Sequence, residues 1–357
     1  MKYIILSLFL LCLGCKQSNE INTVTSEHYP FVYQRDSIQL GFKETCLIQE
    51  LGTPILVHAT AATKYKDRYI LILDVDEIIS LTKEDLHVEV LPRPEYFWGT
   101  ELFVENDSLK ILSGGEHENG IFFYYQYYDE PNKSWGTLDT IPKPIRTFGV
   151  TYEDDEYRVL YSERGEEGSY LIFVDKSTGK EYLWSQIAYK LIKYHGAYYA
   201  IGYKSVRRID DPKAGVPYDG RLHKRLCYGD WTDFDDLPYS TIYADYQSKT
   251  IIESGFVVDD SLYLVVSDSV ETYIGKAENG AIEKVFGLGK RLHVVTDTHH
   301  RRGFNVSDSI VCIPGCGEDY EPAFYLLDIN GRKIRLITFT YDLGQEAERI
   351  RAMYSVP

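Results

Sequence analysis

A chain of 357 residues, 44% hydrophobic and 26% charged, has ample material for a globular core, either one large all-β domain or two ordinary ones. Its 54 acidic residues against 38 basic ones leave a net charge of −16, without the basic footprint that nucleic acid demands, so no nucleic-acid partner is expected. An acidic small substrate stays compatible with this charge, because a local basic pocket can sit within an acidic surface.

The chain opens on Met1-Lys2 and an almost unbroken apolar run from Ile4 to Leu13, followed by Gly14, Cys15 and a polar stretch. A run of about ten apolar residues is too short to cross a bilayer as a helix, which takes roughly 20. Its layout is that of an export signal, which belongs outside the fold. Leu13-Gly14-Cys15 resembles a lipobox, with Cys12 where leucine is commonest. Residues 1–15 are therefore expected to be a lipoprotein signal peptide with Cys15 acylated, and 16–27 a tether. Residues 28–357 should form a single domain. The expected location is the outer membrane or periplasm of a bacterium, with membrane contact through the lipid alone and the protein monomeric.

Past the tether one pattern recurs: a polar turn, usually with Asp, followed at once by an aromatic or aliphatic strand. The copies begin at Asp67, Asp107, Asp155, Gly196, Asp260 and Asp308. Most starts lie about 40 to 50 residues apart, the period of a four-stranded propeller blade. Around Asp155 the rest of a blade is legible: an inner strand over Thr147–Glu153, then strands over Ser169–Val174 and Glu181–Trp184. The last copy continues with Ala323–Asp328, an Asn330-Gly331 turn and Lys333–Thr338. Only Gln345–Met353 has the pattern of a short helix. The fold class is all-β, a propeller with six legible blades. The segments Ile21–Leu51 and Tyr341–Pro357 are expected to pair as a seventh, closing the ring and removing its exposed edges. The longest insertion, Arg208–Asp236, falls in the fourth unit. The 31 Tyr residues suit strands, and their flat faces suit sugar rings.

No phosphate-cradling glycine loop, nucleophile elbow or His-Glu-x-x-His pair is present. Three stretches carry a resemblance instead. Ser113-Gly114-Gly115-Glu116-His117 closes the second strand of unit two. Phe148 is followed after a turn by Tyr161-Ser162-Glu163-Arg164-Gly165. Ala188-Tyr189-Lys190-Leu191-Ile192-Lys193-Tyr194 opens the fourth unit. Together these resemble the BNR-repeat-like propeller lyases, a group that includes the ulvan lyases acting on uronic-acid polysaccharides, over roughly residues 55 to 210. The chain departs from that family where an earlier histidine falls near Phe97 and Trp98 and an active-site tyrosine falls at Phe148.

The resemblance implies β-elimination on an anionic oligosaccharide, by a polysaccharide lyase or an oligosaccharide dehydratase. Such chemistry needs a cation to neutralise the uronate carboxylate and a base to remove the C5 proton; an acid then protonates the leaving oxygen. Arg164 is the expected neutraliser, since a guanidinium fork can bind a carboxylate bidentately. His117 and Tyr189 are the expected base and acid. Substrate contacts are expected from His58 in the first inner strand, Trp98, Arg207 and Arg208 at the head of the insertion, and His299 and His300 before the sixth unit. Two alternatives remain open. A propeller glycoside hydrolase would draw on carboxylates such as Glu163, Asp210 and Asp211. A non-catalytic surface lipoprotein would bind glycan or protein through an aromatic platform.

Cys46, Cys227, Cys312 and Cys316 remain in the mature chain. Export permits disulfides among them. The spacings His223-x-x-x-Cys227 and Cys312-x-x-x-Cys316 would also suit a structural zinc ion; no other cofactor is expected.

Overall fold

The computed structural model describes residues 31–40, 59–73, 77–95, 97–117, 120–142, 149–163, 169–185, 188, 190–218, 237–278, 280–292, 310–316 and 322–341. Among these, six sheets form a β-propeller. The first strand, β1 (Val32–Leu40), belongs to the last sheet. The first sheet is β2 (Ala59–Tyr65), β3 (Arg68–Leu73), β4 (Ile78–Thr82) and β5 (Val88–Leu91). The second is β6 (Trp98–Glu105), β7 (Ser108–His117), β8 (Gly120–Asp129) and β9 (Ser134–Pro142). The third is β10 (Gly149–Glu153), β11 (Tyr157–Glu163), β12 (Ser169–Asp175) and β13 (Glu181–Ser185).

The fourth sheet starts with β14 (Lys190–Tyr194), β15 (Ala197–Ile201) and β16 (Ser205–Ile209). The chain then reaches back to lay the two-residue β17 (Val216–Pro217) against β13, and β18 (Ser240–Ala244) completes the fourth sheet. The fifth is β19 (Ile251–Val258), β20 (Ser261–Ser267), β21 (Thr272–Glu278) and β22 (Ala281–Gly287). The sixth combines β23 (Ile310–Cys316), β24 (Pro322–Asn330) and β25 (Lys333–Tyr341) with β1. The first strands of the sheets adjoin around the axis: β2 lies beside β6 and β23, and β19 beside β14 and β23.

The six repeat units of the sequence are the six sheets, but the N-terminal segment does not start a seventh. Instead β1 pairs in parallel with β25 over nine residues, from Val32 opposite Lys333 to Leu40 opposite Tyr341. The ring is closed by one borrowed outer strand. This covers the outer edge of β25, with β1 itself the outermost strand of the sixth sheet, and needs no second sheet built from chain ends.

The repeated polar turn has a backbone cause. Asn106-Asp107, His195-Gly196 and Asp259-Asp260 all have positive φ at both positions, as a two-residue primed hairpin requires. Asn, Asp and Gly tolerate that region best. At Asp154 a side-chain cap does the work, with its Oδ1 accepting from the amides of Glu156 and Tyr157, each at 2.8 Å. These turns, with β2–β3 as the pattern, lie at one end of the ring, the turn end. The connections from second to third strands and from sheet to sheet lie at the other, the loop end.

The core lies between neighbouring sheets. Phe31, Tyr33 and Phe286 pack between the fifth and sixth sheets, and Tyr69, Phe324 and Phe339 between the sixth and first. Trp184, Phe173 and Tyr198 fill the space between the third and fourth. Tyr69, Tyr170, Tyr198 and Tyr325 are among the largest fully buried side chains, so part of the tyrosine excess serves as wedge-shaped packing between sheets. Among the described residues, no helix is long and apolar enough to cross a membrane.

Candidate functional site

Four of the six inner strands carry a register shift close to the loop end. In β2 it falls between Ala59 and Ala61, in β6 between Trp98 and Glu101, in β10 between Val150 and Tyr152, and in β19 between Ile252 and Ser254. A bulge inserts an unpaired residue, bends the strand and re-aims a side chain, which is why bulges gather at barrel rims and beside sites. The inserted residues include Thr60, Thr151 and Glu253. The loop end is thus where the inner strands depart from regular pairing.

Two charged side chains stand out there. Lys190, at the start of β14, is 5% exposed, and Glu253, at the bulge of β19, is 7% exposed. Neither is without an interaction. They belong to adjacent inner strands, β14 and β19. A Cβ on Gly255 would fall 2.3 Å from Ile201 Cδ1 and 3.3 Å from Ile192 Cδ1, so the fourth and fifth sheets touch through a position that accepts only hydrogen. Side chains return to one face of a strand every second residue. Lys190 therefore shares the face of Ile192, while Ile252 and Gly255, on either side of the β19 bulge at Glu253, both face the fourth sheet. Residue-type reasoning did not single out either buried charge. The signals were a lysine opening β14, which also carries Lys193, and the single charge in β19.

The residues singled out by sequence divide as follows. Trp98 opens β6 opposite Gly114, and His117 closes β7 opposite Gly120, so both strand ends stand at the loop end of the second sheet. Glu163 closes β11 at the same end of the third sheet. Arg164 and Tyr189 adjoin Glu163 and Lys190 in the chain but lie outside the described residues, as do Cys15, His58, His223, Cys227, His299 and His300.

Arg207 and Arg208 sit on β16, the third strand of its sheet, two strands out from the axis. Arg207 lies 4.1 Å over the ring of Tyr239, and Arg208 Nη2 is 2.6 Å from Asp210 Oδ1. Asp211 caps the short 3₁₀ turn Pro212–Ala214 by accepting from the Lys213 amide. That turn accepts a 3.0 Å hydrogen bond from the Trp184 indole through Pro212 O. The start of the insertion is thus occupied in anchoring itself to the third sheet, and Asp210 and Asp211 are engaged far from the axis.

Cys312 and Cys316 do not form a zinc-binding pair. Both lie in the continuous ladder of β23, opposite Leu326 and Pro322. Four residues of extended strand separate their Cα atoms by about 13 Å, too far for two thiolates to share one ion through Zn–S bonds of about 2.3 Å. Cys312 carries a free thiol packed against the layer between the sixth and first sheets, and burial pushes its pKa up to about 12. Among the described residues, no group of three or more His, Cys, Asp or Glu is placed to hold a metal ion.

The turn end is held by ties between sheets. Tyr198 Oη donates to Asp154 Oδ2 at 2.7 Å, and Lys193 Nζ lies 3.0 Å from the same oxygen. Tyr69 Oη donates to Asp328, which also pairs with Lys64. A cleft of about 80 Å³ between the first and second sheets is lined by Tyr65, Tyr128, Arg68, Glu89, Glu130 and Lys133. Its charges already neutralise one another, with Glu89 bridging Arg68 at 2.8 Å and Lys133 at 2.7 Å.

No protein-family model and no curated protein matches the chain. Among solved structures, BamB from Moraxella catarrhalis is similar at 12% identity and a TM-score of 0.31, over 71% of this chain and 68% of that chain.

Proposed function

We propose that the protein is an exported, lipid-anchored carbohydrate-active enzyme that performs β-elimination on a uronate-containing oligosaccharide bound at the loop end of the propeller. The observation that carries this reading is the convergence of strand ends: Trp98, His117, Glu163 and Lys190 all stand at the loop end of consecutive sheets. Arg164 and Tyr189 are each one residue away in the chain.

In the proposed reaction a cation, Arg164, neutralises the uronate carboxylate and so acidifies the C5 proton. His117 or Tyr189 removes that proton. The released electron pair becomes the C4–C5 double bond as the C4–O bond breaks, and the other residue protonates the departing oxygen. The leaving group is a sugar in a lyase and water in a dehydratase. Asp210 and Asp211, two of the three hydrolase candidates, are engaged by Arg208 and by the Lys213 amide, which leaves Glu163 as the remaining carboxylate for a hydrolytic reading.

The test is incubation of the mature protein with oligoglucuronate while following the ultraviolet absorbance of a new C4–C5 double bond. Absorbance should rise with wild type, and Arg164→Ala should lower the rate at least 100-fold with folding intact. Sugar release without that absorbance would overturn elimination in favour of hydrolysis.

A further inference from the structure

We propose that the turn-end cleft between the first and second sheets is a binding site for a short-chain monocarboxylate, held with its acid group on Arg68 and Lys133 and its hydrocarbon against the apolar lining. The site lies at the opposite end of the ring from the strand ends assigned to elimination and does not depend on that reading.

The lining of this cleft of about 80 Å³ divides by chemistry. Its apolar part is Ile70, Leu91 and Leu109, none more than 5% exposed, with the rings of Tyr65 and Tyr128. An apolar cavity of about 150 Å³ takes a benzene molecule, so roughly half that volume suits a body of three or four carbons. The charged part is Arg68, Glu89, Glu130 and Lys133. These four balance one another, but Lys66 ties up Glu130 from outside the lining and tips the count to one positive charge. That excess stands on a chain whose net charge is −16, so it marks the cleft as a local site for an anion. Arg68 is fixed on one side: its Nη1 donates to Glu89 Oε2 at 2.8 Å and to Ser80 Oγ at 3.1 Å. Its Nη2 and Nε have no hydrogen-bond partner among the described residues. A guanidinium anchored in this way keeps donors for a carboxylate. Lys133 is the movable member, since its side chain is 69% exposed. An ion pair as exposed as its contact with Glu89 contributes little, so turning the ammonium to a ligand costs little.

Ligand-observed NMR titrations of the mature protein with butyrate, butyramide and acetate test the site, in wild type, Lys133→Ala and Arg68→Met. Wild type should bind butyrate at least tenfold more tightly than butyramide, which lacks the charge, and than acetate, which lacks the chain. K133A should weaken butyrate severalfold and R68M at least tenfold, with butyramide unchanged in both. Butyrate binding no tighter than either analogue in wild type would overturn the proposal. So would butyrate affinity in K133A equal to that of wild type. Lys133 is an exposed turn residue, so this second readout stands even if R68M does not fold.

Discussion

Asp154 shows how one side chain at a turn serves two sheets. Burial works against its ionisation. The amides of Tyr157 and Glu156, the Tyr198 hydroxyl and the Lys193 ammonium outweigh that cost and hold its pKa at about 2, below the ordinary 3.8. A folded value below the unfolded one stabilises the protein fully above about pH 4, and that stabilisation is lost as pH falls through 2. Asp154→Asn should therefore lower stability at neutral pH and flatten the acid limb between about pH 4 and 2, a difference that urea titrations across that range would reveal. The effect of the same carboxylate on Tyr198 runs the other way: burial first, then the hydrogen bond to Asp154, raises the phenol well above its usual value. That tyrosine is a permanent donor and has no part in proton transfer near neutrality.

At the scale of the element, β23 decides what its cysteines can do. Its spacing of three intervening residues would suit a metal pair in a turn or helix, yet an extended strand separates the same residues by more than one ion can bridge. Cys312 is instead a partly buried residue packed against the layer between the sixth and first sheets, whose thiol, raised by burial to about 12, has almost no thiolate near neutral pH. Iodoacetamide at pH 8 should leave Cys312 unmodified in the folded protein and label it within minutes in guanidinium chloride, as read by peptide mapping. Rapid labelling of the native chain would contradict the packing of β23 against its neighbours. The inner strands β2, β6, β10 and β19 share another trait, a bulge near the loop end, which sets that end apart from the regular, ion-paired turn end.

For the whole molecule the decisive event is closure of the ring. The sixth sheet is completed by β1, about three hundred residues earlier in the chain than β25. Arg335 secures the closure: its Nε lies 2.5 Å from Asp36 Oδ2 on β1, and its Nη1 donates to Lys83 O in the turn after β4. Asp36 is 9% exposed. Removing one partner of such a pair leaves a buried charge uncompensated, at a cost of roughly 3–5 kcal/mol. Arg335→Ala should lower the denaturation midpoint by a corresponding amount and increase self-association, since a loosened β1 bares a sheet edge. Sedimentation and guanidinium melts together measure both, and an unchanged midpoint would mean that the ring closes without this tie.

Local chemistry made much of this architecture legible in the residues. Asp107, Gly196 and Asp260 mark hairpins because their turns need positive φ, and the alternating strands that follow them are the second strands of sheets. Loop-end strand termini such as Trp98 and His117 were readable for the same reason. Long-range pairing was not: nothing in Val32–Leu40 says that it will lie parallel to β25, or that β17 will leave the fourth unit for the third sheet. Nor does the local pattern reveal that Gly255 brings β19 against Ile192 and Ile201 of the fourth sheet. Periodicity and turn preference are properties of neighbours in sequence, and the chain carries them on its own. Which sheet edge a strand completes, and which side chains meet between sheets, depend on free energy gained only when distant segments pack, so tertiary structure alone decided them.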